Sequence, residues 1–246
     1  MACGIANPTT RNWFGWDPAN FDIHHRQGDY SHGPQHSETG NSAFITQLDY
    51  MFREIHTIFT ATGRSLDWIG DVGLYNCRLP SYHSYGRAYD LTMLQWTPGP
   101  YYFDGNTTWR AERTLPSKRL YLGIWAVARR NFMTVLTYTY NTAHHDHIHV
   151  DDSVPLGPIY TPAGPHQDTF LVQLACNYLN GASLLVDGRW GPATQAAYEN
   201  LMRSFRMHGC VSPRGNLAHA RAFLANIAYC CARNEWAWQF PLGLCP

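Results

Sequence analysis

Apolar residues recur at spacings of three and four from Ser42 onward. Phe44, Leu48, Met51, Phe52, Ile55 and Phe59 fall on one face of a helix, and Gly63 supplies a stop signal. Before this, residues 1–41 are rich in Gly, Pro, Asn, Asp and His and show no sustained period, so an irregular arm is expected. Residues 65–78 suit short strands and turns. Residues 87–96 read as a strand, 98–106 as a turn-rich loop, 133–140 as a β-branched and aromatic strand, and 147–151 as another. A helix is expected over 117–130, with Leu120, Ile124, Val127 and Ala128 on one face. Residues 155–165 hold four prolines and two glycines and read as a linker. Beyond it, Leu171, Leu174, Ala175 and Tyr178 make one helical stripe. Pro192 opens a second helix, with Ala197, Tyr198, Leu201, Met202 and Phe205 on its apolar face, and 217–231 gives a third. Four segments result: the arm 1–41, a mixed domain 42–154, the linker 155–165 and a helical module 166–246.

Composition narrows the function. Of 246 residues, 45% are apolar, enough for a sizeable core. Eighteen acids balance eighteen bases, a poor match to nucleic acid or an anionic membrane, which reward clustered positive charge. No apolar run approaches the ~20 residues that span a bilayer, so no membrane insertion is expected. The N-terminus shows no secretory signal. Seven cysteines leave at least one unpaired if all bonds are internal. Cys210, Cys230, Cys231 and Cys245 crowd the C-terminal end and hint at disulfides there, without fixing a connectivity.

The thirteen histidines matter where they meet carboxylates. Two segments stand out: 81–90, SYHSYGRAYD, and 144–151, HHDHIHVD. On a strand, His147 and His149 point to one face, whereas on a helix they diverge. Asp90 sits on an expected strand, His83 in the loop leading into it, and Gly86 permits a tight turn between them. Two imidazoles and a carboxylate (His83, Asp90, His149) make a three-ligand set of the kind that leaves a catalytic zinc an open fourth position. His147 is left to act as general base or oxyanion stabiliser.

The pattern SxHxxGxAxD followed by HxH resembles the zinc D-Ala-D-Ala carboxypeptidase and extensin-like peptidase group, which shares a metal core with lysostaphin-type peptidases and hedgehog proteins. Ser81, His83, Gly86, Ala88 and Asp90 match the first motif, and His147 and His149 the second. The resemblance covers roughly residues 48–152. It implies an α+β fold with a central antiparallel sheet and flanking helices. It also implies one zinc ion on His83, Asp90 and His149, with His147 as the catalytic histidine. Cys77-Arg78 resembles the extensin-like version of a substrate-carboxylate arginine, and His144 resembles a substrate-contacting histidine. Ser81 joins Arg78 and His144 as a substrate-binding candidate. The loop 98–114 is expected to wall the cleft, with Trp96, Tyr101, Tyr102 and Trp109 as lining candidates.

The stretch from Leu184 to Tyr198 resembles the second half of a three-helix peptidoglycan-binding domain. Val172, Gln173 and Leu174 supply its helix start, and Asp187, Gly188, Trp190, Gly191 and Thr194 its D-G-x-[FW]-G-x-x-T turn. This implies a small all-α module holding the catalytic domain on bacterial wall polymer. The expectation is therefore a zinc metallopeptidase, a D,D- or L,D-carboxypeptidase or endopeptidase, cutting peptidoglycan stem peptides or crosslinks. It would act in the periplasm or extracellular wall, delivered by phage lysis as an endolysin, by a specialised secretion system as a toxin, or after loss of a leader. A toxin would have an immunity protein or delivery machinery as partner. The alternative is a catalytically inactive peptidoglycan-binding protein with a structural zinc. A thiol or serine hydrolase using Cys77, Ser81 or Ser84 with His83 lacks a supporting elbow or triad motif.

Overall fold

A computed structural model describes residues 3–16, 19–26, 32–78, 80–99, 101–162, 164–207, 209 and 212–239. In chain order the first elements are β1 (Pro8–Arg11), β2 (Trp13–Trp16), β3 (Ala19–Arg26), β4 (His32–Gln35), β5 (Glu38–Asn41) and α1 (Ser42–Thr60). Then come β6 (Ser65–Asp71), β7 (Ala88–Thr97), β8 (Tyr101–Asp104), α2 (Leu115–Asn131), β9 (Thr134–Leu136) and β10 (Ile148–Asp151). The helices α3 (Gln167–Asn180), α4 (Pro192–Ser204) and α5 (Leu217–Arg233) follow. The fold is mixed α/β, and it divides into two compact units: residues 1–107 with 131–155, and residues 108–130 with 156–246.

In the first unit, six strands run in the spatial order β2-β3-β6-β7-β10-β9, with β4 added on β3 and β8 on β7. All pairings within it are antiparallel except β3 with β6. The expected antiparallel sheet is thus a mixed one. Its parallel pair needs a long crossover, which the segment containing α1 supplies. Asn41 caps α1, its Oδ1 accepting from the N–H groups of Ala43 and Phe44 at 3.0 and 3.3 Å. The expected stripe is buried: Phe44, Leu48, Met51, Phe52, Ile55 and Phe59 are each at most 1% exposed. Burying such side chains stabilises by about 1.5–3 kcal/mol each. Asp49 lies on the same face, where Arg11 Nη1 and the Gly15 N–H donate to its carboxylate at 2.8 and 2.9 Å.

Residues 1–41 depart from the expected irregular arm. They form five short strands, β1 pairing with β5 and β2 to β4 entering the main sheet. Four of the five have only four residues, too few for a period to show, while the eight-residue β3 alternates, burying Phe21 and Ile23; Phe14 on β2 is buried too. Cys3 is disulfide-bonded to Cys77, 74 residues away. The loop expected over 98–106 contains β8. The strand expected over 133–140 is only β9, because Thr137 starts a turn: its carbonyl accepts from the Tyr140 N–H at 2.8 Å and its Oγ1 meets Thr139 Oγ1 at 3.0 Å. Trp96, expected in a cleft wall, is a core residue with no exposure, packed on Phe59 with ring centroids 4.7 Å apart.

The second unit is helical and includes α2, most of which lies in 108–130. A side chain at Gly123 would meet Cys231 Cβ at 2.8 Å, so this glycine lets α2 and α5 approach closely. Arg129 and Asp168, each about 2% exposed in their side chains, form a bidentate pair at 2.6 and 3.0 Å. The Asp187–Thr194 turn is organised by the buried Gln173. Its amide donates to Asp187 Oδ1, Arg189 O and Thr194 Oγ1, and its oxygen accepts from the N–H groups of Asp187 and Gly188. Gly188 adopts φ +71°, and Phe170 occupies the place a side chain there would take. Trp190 lies half-buried against Tyr198. Cys176, Cys230 and Cys231 are free and buried, so the C-terminal disulfides hinted at do not involve Cys230 or Cys231 among the described residues. Cys210 and Cys245 lie outside those residues. No helix among the described residues is long and apolar enough to cross a membrane.

Candidate metal centre

The segment before β7 is built to present His83. A short 3-10 turn, Tyr82–Tyr85, starts at Ser81, whose Oγ accepts from the His83 N–H at 3.3 Å. It ends at Gly86, with φ +63°. A Cβ at Gly86 would stand 2.9 Å from Gly40 Cα, so only glycine fits there. Ser84 is fully buried and donates to the carbonyls of Asn76 and Arg78. Asp90 on β7 and His149 on β10 are direct cross-strand partners, which places their side chains together.

His83, Asp90 and His149 offer ligand atoms that all lie within 4.8 Å of one another. His83 Nε2 is 3.3 Å from Asp90 Oδ2, and His149 Nδ1 is 2.8 Å from Asp90 Oδ1. The outward nitrogens fix the tautomers. His83 Nδ1 donates to the Leu74 carbonyl at 3.0 Å, leaving the Nε2 lone pair toward Asp90. His149 Nε2 pairs with Asp151 Oδ2 at 3.1 Å, leaving Nδ1 toward Asp90. Two ring nitrogens and a carboxylate therefore converge, each imidazole held from behind by an oxygen acceptor. Such a set fits a metal ion, whose tetrahedral ligands at about 2.0–2.1 Å stand about 3.3 Å apart.

The electrostatics agree with that donor set. Burial alone would lower the His149 pKa, but Asp151 and Asp90 outweigh it and raise it to about 9. Burial would raise the Asp90 pKa, but pairing with His149 and His83 holds it well below the usual carboxylate range. A divalent ion would replace the proton on His149 and satisfy the same carboxylates.

His147 stands beside the set, its Nε2 3.6 Å from Asp90 Oδ1 and its Nδ1 2.9 Å from Asp146 Oδ1. A side chain at Gly105 would meet the Asp146 carbonyl at 2.6 Å and His147 Cα at 3.0 Å, so this glycine lets the strand end lie flat against the histidine segment. His144 follows Asn141, which caps a second 3-10 turn. Its ring is 5.2 Å from that of His147 and 5.7 Å from that of His149. Burial and the two neighbouring histidines lower its pKa to about 4, so it is neutral at pH 7.

The structure thus brings together His83, Asp90, His147, His149 and His144. Ser81 lies behind His83 as a turn cap. Arg78 is exposed in the preceding loop, and its carbonyl is engaged by Ser84.

The family model described as "Extensin-like protein C-terminus" matches residues 46–155. That span contains all seven of these residues. No curated protein and no solved structure matches the chain.

Sequence reasoning missed the groups behind the ligands: Asp151, Asp146 and the Leu74 carbonyl. Asp151 was findable, because residues 149 and 151 share a strand face. The Leu74 carbonyl was not, since no side-chain pattern marks it.

Proposed function

We propose that this chain is a zinc-dependent peptidase that hydrolyses peptide bonds of bacterial peptidoglycan, in stem peptides or crosslinks, with its C-terminal helices as the wall-binding module. The observation that carries this reading is the convergence of two imidazole nitrogens on Asp90 with a further histidine, His147, alongside. The extensin-like match over 46–155 supports it, as does the resemblance of 184–198 to a peptidoglycan-binding turn.

His83 Nε2, Asp90 and His149 Nδ1 would hold the zinc, with Leu74 O and Asp151 keeping both rings in the ligating tautomer. When bound, zinc supplies Lewis acidity for peptide hydrolysis. His147 handles the proton. Asp146 at Nδ1 stabilises the imidazolium while Nε2 takes a proton from the attacking water and then releases it to the leaving amine. His144, neutral and with Nδ1 2.7 Å from Asn141 Oδ1, keeps Nε2 for substrate. Arg78 is the group suited to a substrate carboxylate, which a guanidinium binds bidentately. A hedgehog-type metal core would accommodate this arrangement.

Defined muropeptides digested with and without chelator, and read by mass spectrometry, test the reading. Cleavage that chelator abolishes and zinc restores is expected. Intact muropeptides from a zinc-loaded, folded protein would reduce it to a wall-binding protein with a structural ion.

A further inference from the structure

We propose that His36, Glu38 and Asp71 form a second metal site, taking a divalent transition-metal ion such as zinc. The site is outside the 46–155 match for two of its three residues, and it does not depend on the peptidase reading.

Three backbone segments meet there. His36 follows β4, Glu38 opens β5 and Asp71 closes β6. His36 Nε2 lies 2.9 Å from Glu38 Oε1 and 3.2 Å from Asp71 Oδ1, and the three donor atoms lie within 4.8 Å of one another. These separations match ligands around one ion held at about 2.0–2.1 Å, which stand about 3.3 Å apart in a tetrahedron. Imidazole with carboxylate is a donor mix that zinc and its neighbours accept. The set is enclosed: Asp71 has no exposure and Glu38 has 8%. His36 is the part-exposed edge, at 21% of its side chain, and gives an ion its way in.

A separate observation points to the same place. The Tyr89 hydroxyl is wholly buried on β7, where it faces Asp71 by charge and by hydrogen bonding. After burial, the charge acting on it most strongly is that of Asp71. It brings a further oxygen toward the cluster, from a strand that none of the other three occupies.

The two sites share one residue, Leu74. Glu38 Oε2 accepts from the Leu74 N–H at 2.8 Å, and the Leu74 carbonyl accepts from His83 Nδ1 at 3.0 Å. An ion on Glu38 would therefore brace the loop that carries a ligand of the first site.

Zinc stoichiometry on the full chain tests this. The protein is stripped with chelator, reloaded with zinc alone, dialysed, and analysed by elemental mass spectrometry with circular dichroism as a fold check. Two equivalents are expected for the wild type, one for His149→Ala, and none for His149→Ala combined with His36→Ala. One equivalent in the wild type and none in His149→Ala would overturn the second site and leave the first standing. One equivalent kept in His149→Ala but lost in His36→Ala would support the second site and sink the first. No zinc in the wild type overturns both, and zinc retained by the double variant shows that it binds elsewhere and overturns the proposal. The wild-type and His149→Ala arms leave the cluster intact, so a folding defect in His36→Ala cannot hide the answer.

Discussion

Asp151 makes the sharpest single perturbation. Its Oδ2 holds His149 Nε2 at 3.1 Å, its Oδ1 accepts from the Ser153 N–H at 2.8 Å, and its side chain is 8% exposed. Asp151→Ala removes the acceptor that orients the ring and fixes its tautomer. Loss of such a partner costs about 10–100-fold in metal affinity, or about 1.4–2.7 kcal/mol. Asp151→Asn keeps an oxygen for Nε2–H and loses only the charge, so it should fall near the tenfold end. A second effect has the opposite sign. The same carboxylate helps raise the His149 pKa to about 9, so deleting it relieves proton competition for the ligand nitrogen. Zinc affinity is therefore compared at pH 9, by competition with a chromophoric chelator, where that relief is small. The order expected is wild type, then Asn, then Ala. A folded Asp151→Ala protein that binds zinc as tightly as wild type would refute both the orientation argument and His149 as a ligand.

Other outcomes follow from the same geometry. Gly105→Ala places a methyl against the Asp146 carbonyl and His147 Cα, so turnover should drop at least tenfold while zinc content stays unchanged; a 1 Å misplacement can cost about 100-fold. Gly86→Ala combines φ +63° with a clash on Gly40, and should lower stability by about 1–3 kcal/mol in denaturant titration. Arg129→Ala leaves Asp168 buried and unpaired, so a loss of about 3–5 kcal/mol is expected by thermal or chemical unfolding. Burial raises the Asp49 pKa to about 6, against the bonds from Gly15 and Arg11. Below about pH 3 the carboxyl is protonated in both folded and unfolded chains. As pH rises toward 6 the unfolded chain ionises first, so this group's contribution to stability declines. The stability of wild type relative to Asp49→Asn should thus fall by about 2 kcal/mol between pH 4 and 7, at no more than about 1.4 kcal/mol per unit; a flat or rising difference would contradict this.

Much of the site was readable because its chemistry is written in side chains at strand spacing. Asp90, His147 and His149 lie on or beside strands, and the alternation of β10 alone aligns His149 with Asp151. The long helix α1 was readable because its nineteen residues give the period room to repeat. The N-terminal strands were not: four of them have only four residues, the longer β3 shows only the Phe21/Ile23 alternation, and their pairing is set by distant partners such as β5 and β6. The parallel β3–β6 pairing and the place of α2 beside α5 are tertiary choices that no local window contains. Trp96 misled for a related reason: an aromatic residue near a loop can face either the cleft or the core, and here it packs on Phe59. In the helical module, Gln173 was recognised from its family pattern. Its physical task, tying the Asp187–Thr194 turn with five hydrogen bonds, became visible only in three dimensions.

The central claim is that the metal centre and His147 hydrolyse wall peptide. The most direct measurement is the release of new amino termini from purified sacculi by zinc-loaded wild-type and His147→Ala proteins of equal zinc content. The account predicts steady release by the wild type and at least a 100-fold loss in His147→Ala. Equal release by the two proteins would contradict the role of His147, and no release by a zinc-loaded, wall-bound wild type would contradict the account itself.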